Sequence, residues 1–158
     1  MRKTVAMISV ALGLLGAVAP ASLATDEIVF NQNNYVNIGN RALVKGDFAK
    51  ASKFLRLAVK ASLSETDMVN SLNNLCAADF LQDKLVEAKE SCDKAIKLDH
   101  NAWRPYVIRG HINAEQGNIK LAKLDYNKAQ GIKPGEEISK RFLAKLETEN
   151  AVKLANNE

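Results

Sequence analysis

Histidine is almost missing from this chain, with His100 and His111 the only two in 158 residues. Neither has a nucleophile or a further ligand at a recognised spacing, so a histidine-based catalytic site or metal centre has nothing to be built from. Acidic residues are scattered over polar faces, never in more than an adjacent pair, and the array of Asp and Glu that a calcium loop needs is absent. The glycines mark turns and close packing, with no phosphate-cradling loop among them. Lys and Arg are dispersed, without the density of a nucleic-acid footprint. These absences argue against an enzyme, a metal or other cofactor, and a nucleic-acid partner. Aromatic residues are also sparse, at 6%, against 47% hydrophobic and 25% charged residues. That balance is globular, and a core built mainly from Leu, Ile, Val and Ala suits closely packed helices. The expected class is all-α, in a single domain.

What is present begins with a leader. Arg2 and Lys3 precede an uncharged apolar run from Val5 to Val18, followed by Ala19, Pro20, Ala21, Ser22, Leu23 and Ala24. This is the layout of a secretory signal peptide. Ser22 and Ala24 supply the small residues that a signal peptidase accepts, which places the leader at residues 1–24 and the mature start at Thr25; cleavage after Ala21 is the alternative. The run is shorter than the ~20 residues of a spanning helix, so no stable membrane anchor is expected after cleavage. No Cys lies beside the cleavage region to carry a lipid. The expected location is the periplasm or the exterior. Of the formal net charge of +4, two charges belong to the leader.

Residues 25–31 lack helical spacing and read as a flexible or loosely docked lead-in. From Gln32 the pattern changes, with Tyr35, Ile38, Gly39, Ala42 and Leu43 on one helical face. Lys45, Gly46 and Asp47 interrupt it, and Phe48, Ala51, Leu55, Ala58 and Val59 form a second face. A polar turn follows in which Ser64 or Thr66 could cap the next helix. Leu72, Leu75, Cys76 and Asp79 then take the places of Tyr35, Ile38, Gly39 and Ala42, with Asp79 the misfit. After Gln82 and Asp83, Ala88, Cys92, Ala95 and Ile96 take the places of Ala51, Leu55, Ala58 and Val59. A third copy has Tyr106, Gly110 and Asn113, a turn at Gly117 and Asn118, then Ala122, Tyr126, Ala129 and a terminal Pro134. Pro105 fits the first turn of its helix, where the missing N–H costs no hydrogen bond. Residues 136–158 read as a polar-backed capping helix and tail, with Ile138, Phe142, Leu146 and Glu147 at intervals of four or one and Lys and Glu elsewhere.

Gly39, Cys76 and Gly110 lie 37 and 34 residues apart, and the pairs Ala51/Ala58, Ala88/Ala95 and Ala122/Ala129 keep the same register. A fixed period in this range marks a stacked repeat. Over residues 32–135 the chain resembles the tetratricopeptide repeat (TPR) family, and with its leader it is similar to an exported bacterial protein of that kind. The third unit matches best, with Gly110, Ala122, Tyr126, Ala129 and Pro134. The second departs, with Cys76 for the small residue, Cys92 for the aromatic and His100 for the proline. The resemblance implies a helical-hairpin solenoid of three TPR units closed by the C-terminal helix.

The repeat register sets Cys76 and Cys92 on facing helices of one hairpin, both turned inward. An even count in an exported chain favours a disulfide. Two buried free thiols acting as small apolar side chains are the alternative. Their spacing excludes a CxxC redox motif.

The resemblance also implies that the first helix of each hairpin lines a concave face that takes a protein or peptide partner. In unit one that face carries Asn33, Val36, Asn37, Asn40 and Leu43, with Val44. In unit two it carries Asn70, Asn73, Asn74 and Phe80, with Ala77. In unit three it carries Arg104 and His111, with Val107, Ile108 and Glu115. A side-chain amide both donates and accepts, so the recurring asparagines can pair with the backbone of an extended peptide; helix capping and solvation are the alternative role. Some family members grip a C-terminal carboxylate with five groove residues. Asn40, Asn74 and Arg104 match that pattern, but Val36 and Ile108 stand where it has cations, so an internal peptide segment is the expected occupant. A structural or assembly role in a cell-envelope complex, acting through self-association, is the second functional reading.

Overall fold

The computed structural model describes residues 32–61 and 63–155. The leader, the lead-in and the side chain of Asn33 lie outside the described residues. Seven helices follow in order: α1 (Gln32–Val44), α2 (Phe48–Lys60), α3 (Glu65–Phe80), α4 (Leu85–Leu98), α5 (Trp103–Glu115), α6 (Ile119–Ile132) and α7 (Glu137–Ala155). Among the described residues there is no strand. The pairs α1/α2, α3/α4 and α5/α6 pack as hairpins, and each first helix also contacts the second helix of the hairpin before it. The architecture is the all-α helical-repeat solenoid that the period implies.

Turn chemistry sets the hairpins. Gly46 and Gly117 adopt φ values of 75° and 76°, in the left-handed region where only glycine is free of strain. The backbone closes there, with Asp47 N–H donating to the Ala42 carbonyl at 2.9 Å and Asn118 N–H to that of Asn113 at 2.8 Å. The corresponding position of the second hairpin is Asp83, which carries a side chain at φ 59°. Asp47 and Ser64 cap α2 and α3, accepting from the amides of Lys50 and Asp67. At α3 the cap is therefore Ser64, and Thr66 lies inside the helix.

One pair of positions holds each hairpin together. A Cβ on Gly39 would lie 2.7 Å from Leu55 Cγ, and one on Gly110 would lie 2.7 Å from Tyr126 Cε1. Glycine on one helix thus admits a large side chain from the other. At the same pair in the second hairpin Cys76 and Cys92 share a disulfide, with Cα atoms 5.3 Å apart and both residues fully buried. Two medium side chains, covalently joined, replace one absent and one large.

Polar bonds join the hairpins. Asp79 is fully buried between α2 and α3, accepting from Ser52 Oγ at 2.6 Å and from Arg56 Nη2 at 2.7 Å. Arg109 of α5 donates to Asp93 of α4 at 2.6 Å and holds Asp125 of α6 through two bonds of 3.0 and 2.6 Å. Asp125, and then Asp93, hold the guanidinium pKa well above its ordinary value against the opposing effect of burial.

The packed stripe of α7 keeps the expected Phe142 and Leu146 and differs at its start. Ser139 and Leu146 are buried and Phe142 and Leu143 half-buried, while Ile138 is 48% exposed. The reason lies at the helix start. The buried Glu136 carboxylate accepts from the Ile138 amide at 2.8 Å and the Ser139 amide at 2.7 Å, and it is Ser139 that is fully buried at this end. Stepping from Ser139 by three, one and three residues gives the stripe that meets Ala122 and Tyr126.

Candidate functional site

The first helices α1, α3 and α5 lie side by side, and their shared face carries the residues that the repeat register selected. Asn37 and Asn70 are exposed, Val36, Asn40, Leu43, Asn74 and Phe80 half-buried, and Asn73 buried. Leu43 spends its apolar surface against the core cluster of Leu55 and Leu75. Asn33 contributes its helical backbone to the start of α1.

Three of the asparagines form a ladder. Asn74 Nδ2 donates to Asn40 Oδ1 at 2.9 Å, linking α3 to α1. Asn73 Nδ2 donates to Asn74 Oδ1 at 3.4 Å, a longer and weaker bond. Asn73 Oδ1 is buried and accepts no hydrogen bond among the described residues. Each amide offers two donors and an oxygen with two lone pairs, so the ladder uses only part of their capacity.

Two turns further along α3 from Asn73, Phe80 begins an aromatic row. The Phe80 and His111 rings stack with centroids 5.9 Å apart, and His111 meets the edge of Phe142 at 4.2 Å. His111 Nδ1 is 2.8 Å from the Tyr126 hydroxyl. Burial pushes the imidazole pKa down, opposed by the charge of Glu136. Burial, with the charges of Asp125 and Glu115, pushes the Tyr126 pKa up. Either neutral tautomer can make this bond, with the Tyr126 hydroxyl donating to a bare Nδ1 or accepting from an Nδ1–H. His111 is thus half-buried and packed into the row.

Phe142 and Tyr126 were not among the site residues expected from sequence. A signal for Phe142 existed in the spacing, since Phe80, His111 and Phe142 follow one another at intervals of 31 residues. Past Phe142 the row opens into a cavity of about 430 Å³ with Ile138 and Phe142 as its apolar side chains and Arg141 and Lys145 as its cations. Arg104 is exposed, and its guanidinium lies 4.9 Å from the Trp103 ring centre, with Lys133 Nζ 4.4 Å from the same ring. The structure therefore joins Asn40, Asn73 and Asn74, joins Phe80 with His111, and sets Arg104 on Trp103.

Such a surface can hold backbone amides and apolar side chains, but it has no reacting constellation. Among the described residues no three His, Cys, Asp or Glu side chains are grouped to hold a metal ion. No described helix is long and apolar enough to cross a membrane.

Residues 104–136 match the family model described as tetratricopeptide repeat. The chain is 26% identical over 127 residues to mouse sperm-associated antigen 1, covering 80% of this chain and 14% of that protein. It thus spans about one seventh of that relative's length. Its fold is similar to the Arabidopsis OM64 TPR domain, with a TM-score of 0.68 at 21% identity, covering 75% of this chain and 95% of the other. It is also similar to the C. elegans myosin chaperone UNC-45 in complex with a Hsp90 peptide, with a TM-score of 0.72 at 22% identity, covering 78% and 14%. The fold is that of a TPR solenoid.

Proposed function

We propose that this protein is an exported recognition module, without catalytic activity, that binds an extended peptide segment of another protein along α1, α3 and α5. The observation that carries the reading is the amide ladder of Asn40, Asn74 and Asn73 together with the aromatic row of Phe80, His111 and Phe142. Spare amide donors and acceptors suit a peptide backbone of any sequence, and the row offers apolar and aromatic surface to its side chains. The similar UNC-45 structure, with its Hsp90 peptide, supports a peptide as the kind of partner. Val36 and Ile108 bring no charge to a terminal carboxylate, which favours an internal segment. The apolar leader and the Cys76–Cys92 bond support export to an oxidising compartment, the periplasm or the exterior.

The test is selection of peptides from a displayed random library on the oxidised protein, followed by calorimetry with wild type and the Asn40→Ala/Asn74→Ala variant. Peptides enriched on wild type are expected to lose on the order of tenfold in affinity or more on the variant, the loss of one or two hydrogen bonds. Selected peptides that bind both proteins equally would remove the ladder from the site.

A further inference from the structure

The solenoid repeats one contact between hairpins. α2 lies on α3 and α4 on α5, with Ser52 and Arg56 bonded to Asp79 and Asp93 bonded to Arg109. No described helix precedes α1, so among the described helices its matching flank has no counterpart of α2 or α4. The residues there change character. In the repeat register Ile38, Ala42 and Phe54 stand where the second hairpin has Leu75, Asp79 and Ser91 and the third has Arg109, Asn113 and Asp125. A terminal repeat that meets only water is expected to carry a more polar outer face than the inner ones, and this one is more apolar. A cavity of about 320 Å³ lies on the flank, with Ile38, Ala42 and Phe54 as its apolar side chains. Arg41, Lys45 and Lys50 bring three exposed cations to its lining. None of the three is in an ion pair among the described residues. Its one carboxylate, Asp47, is engaged with the Lys50 amide. The dipole of α1 favours Arg41 and Lys45 at its C-terminal end, but Lys50 lies in the first turn of α2, where a cation is disfavoured. Helix stability therefore leaves Lys50 unexplained.

We propose that this flank docks an acidic amphipathic helix of another protein, laid on α1 as α2 is laid on α3. Apolar side chains three and four residues apart on that helix meet Ile38, Ala42 and Phe54, and Asp or Glu beside them meet Arg41 and Lys45 on α1 and Lys50 on α2. Charge selects the source of the helix. A second copy stacked head to tail would bring α6, whose Lys123 and Asn127 stand where α2 has Ser52 and Arg56 and α4 has Lys89 and Asp93. Lys123, and Lys120 three residues before it, would then face three further cations. Nor does the chain's own start supply such a helix. With residues 1–24 read as a leader, residues 25–31 remain ahead of α1, fewer than the 13 and 14 residues of α2 and α4. The leader itself carries Arg2 and Lys3 and no acid.

Selection from a displayed library of helical peptides on the oxidised whole protein tests this, with calorimetry of the enriched peptides. They should carry an apolar stripe flanked by Asp or Glu, and Arg41→Glu/Lys50→Glu should weaken them on the order of tenfold or more. Selection repeated on that variant should return Lys or Arg at the flanks. Asn40→Ala/Asn74→Ala should leave these peptides unaffected, which separates the flank from the groove face. In amide spectra of the whole protein the bound peptide should shift Ile38, Ala42 and Lys50 and leave Asn70 in place. No enriched helix, enrichment without acidic flanks, affinity indifferent to the charge reversal, or shifts confined to the groove face overturns the proposal. So does contact between α1 and residues 25–31 in nuclear Overhauser spectra, or a dimer in sedimentation that the charge reversal dissociates, either of which would give the flank to the chain itself. Attachment of the whole protein to anionic vesicles through the same cations would give it to a lipid surface, and overturns the proposal as well.

Discussion

Asn74 donates to Asn40 across 2.9 Å, so two of the asparagines expected on the groove face are bonded to each other. The bond orients both amides and ties α3 to α1. Its own contribution is small, since exchanging water for a neutral hydrogen bond nets about 1 kcal/mol. A double-mutant cycle on Asn40→Ala and Asn74→Ala in urea should give a coupling of about 0.5–1 kcal/mol. A coupling several times larger would make the pair a structural staple.

Asp79 and Arg56 are unequal partners, the Asp79 side chain fully buried and that of Arg56 41% exposed. Removing the cation strands a buried carboxylate, whereas removing the carboxylate frees an arginine that already reaches water. Arg56→Ala should therefore cost about 2 kcal/mol, below the range for fully buried pairs. Arg56→Ala/Asp79→Asn should recover part of that loss. Chemical denaturation of the three proteins measures it, and a double variant less stable than Arg56→Ala alone would contradict the assignment.

Asp83 sits at φ 59° where the other two hairpins have Gly46 and Gly117. Asp83→Gly should stabilise the protein by roughly 0.5–1 kcal/mol, because relief of left-handed strain outweighs the added freedom of the unfolded chain. The thermal midpoint should rise.

Reducing the Cys76–Cys92 bond releases a constraint between positions 16 residues apart. The chain-entropy argument gives a loss on the order of 3 kcal/mol, seen as a lower urea midpoint in reductant or in Cys76→Ala/Cys92→Ala. In the double-alanine variant the midpoint should no longer respond to reductant.

His111 makes stability depend on pH. Its folded pKa lies below the ordinary value of about 6.5, so the unfolded chain takes up the proton first as pH falls. The contribution is complete above about pH 6.5 and is lost as pH drops toward the folded value. Urea midpoints measured from pH 8 to 5 should fall on the acid side, and His111→Gln, which keeps a neutral hydrogen-bonding side chain beside Tyr126, should flatten that part of the profile.

The hairpins were legible because each unit repeats the same small residues in register, and close helix approach leaves few other choices at Gly39 and Gly110. Asp79 could be seen as a misfit but not explained, because its partners Ser52 and Arg56 belong to the preceding unit and sequence spacing within one hairpin says nothing of them. On α7 the sequence placed Phe142 and Leu146 on the packed stripe and missed only at its start, where Ser139 is buried and Ile138 exposed, because the capping role of Glu136 is not visible in apolar spacing. The packing of His111 was not legible, because its ring neighbours Phe80, Tyr126 and Phe142 lie on three other helices, one of them outside the repeat. The groove asparagines were chosen by position, and only coordinates could show that three of them bond to one another.

The central claim is that a partner lies along the first helices. Its most direct test is photo-crosslinking in producing cells, with a benzophenone side chain placed at Asn37, at Asn70, or at Leu124 on α6, all exposed. Crosslinks to a common partner from Asn37 and Asn70, and none from Leu124, are the expected result. A partner captured from Leu124 and not from the other two positions would contradict it.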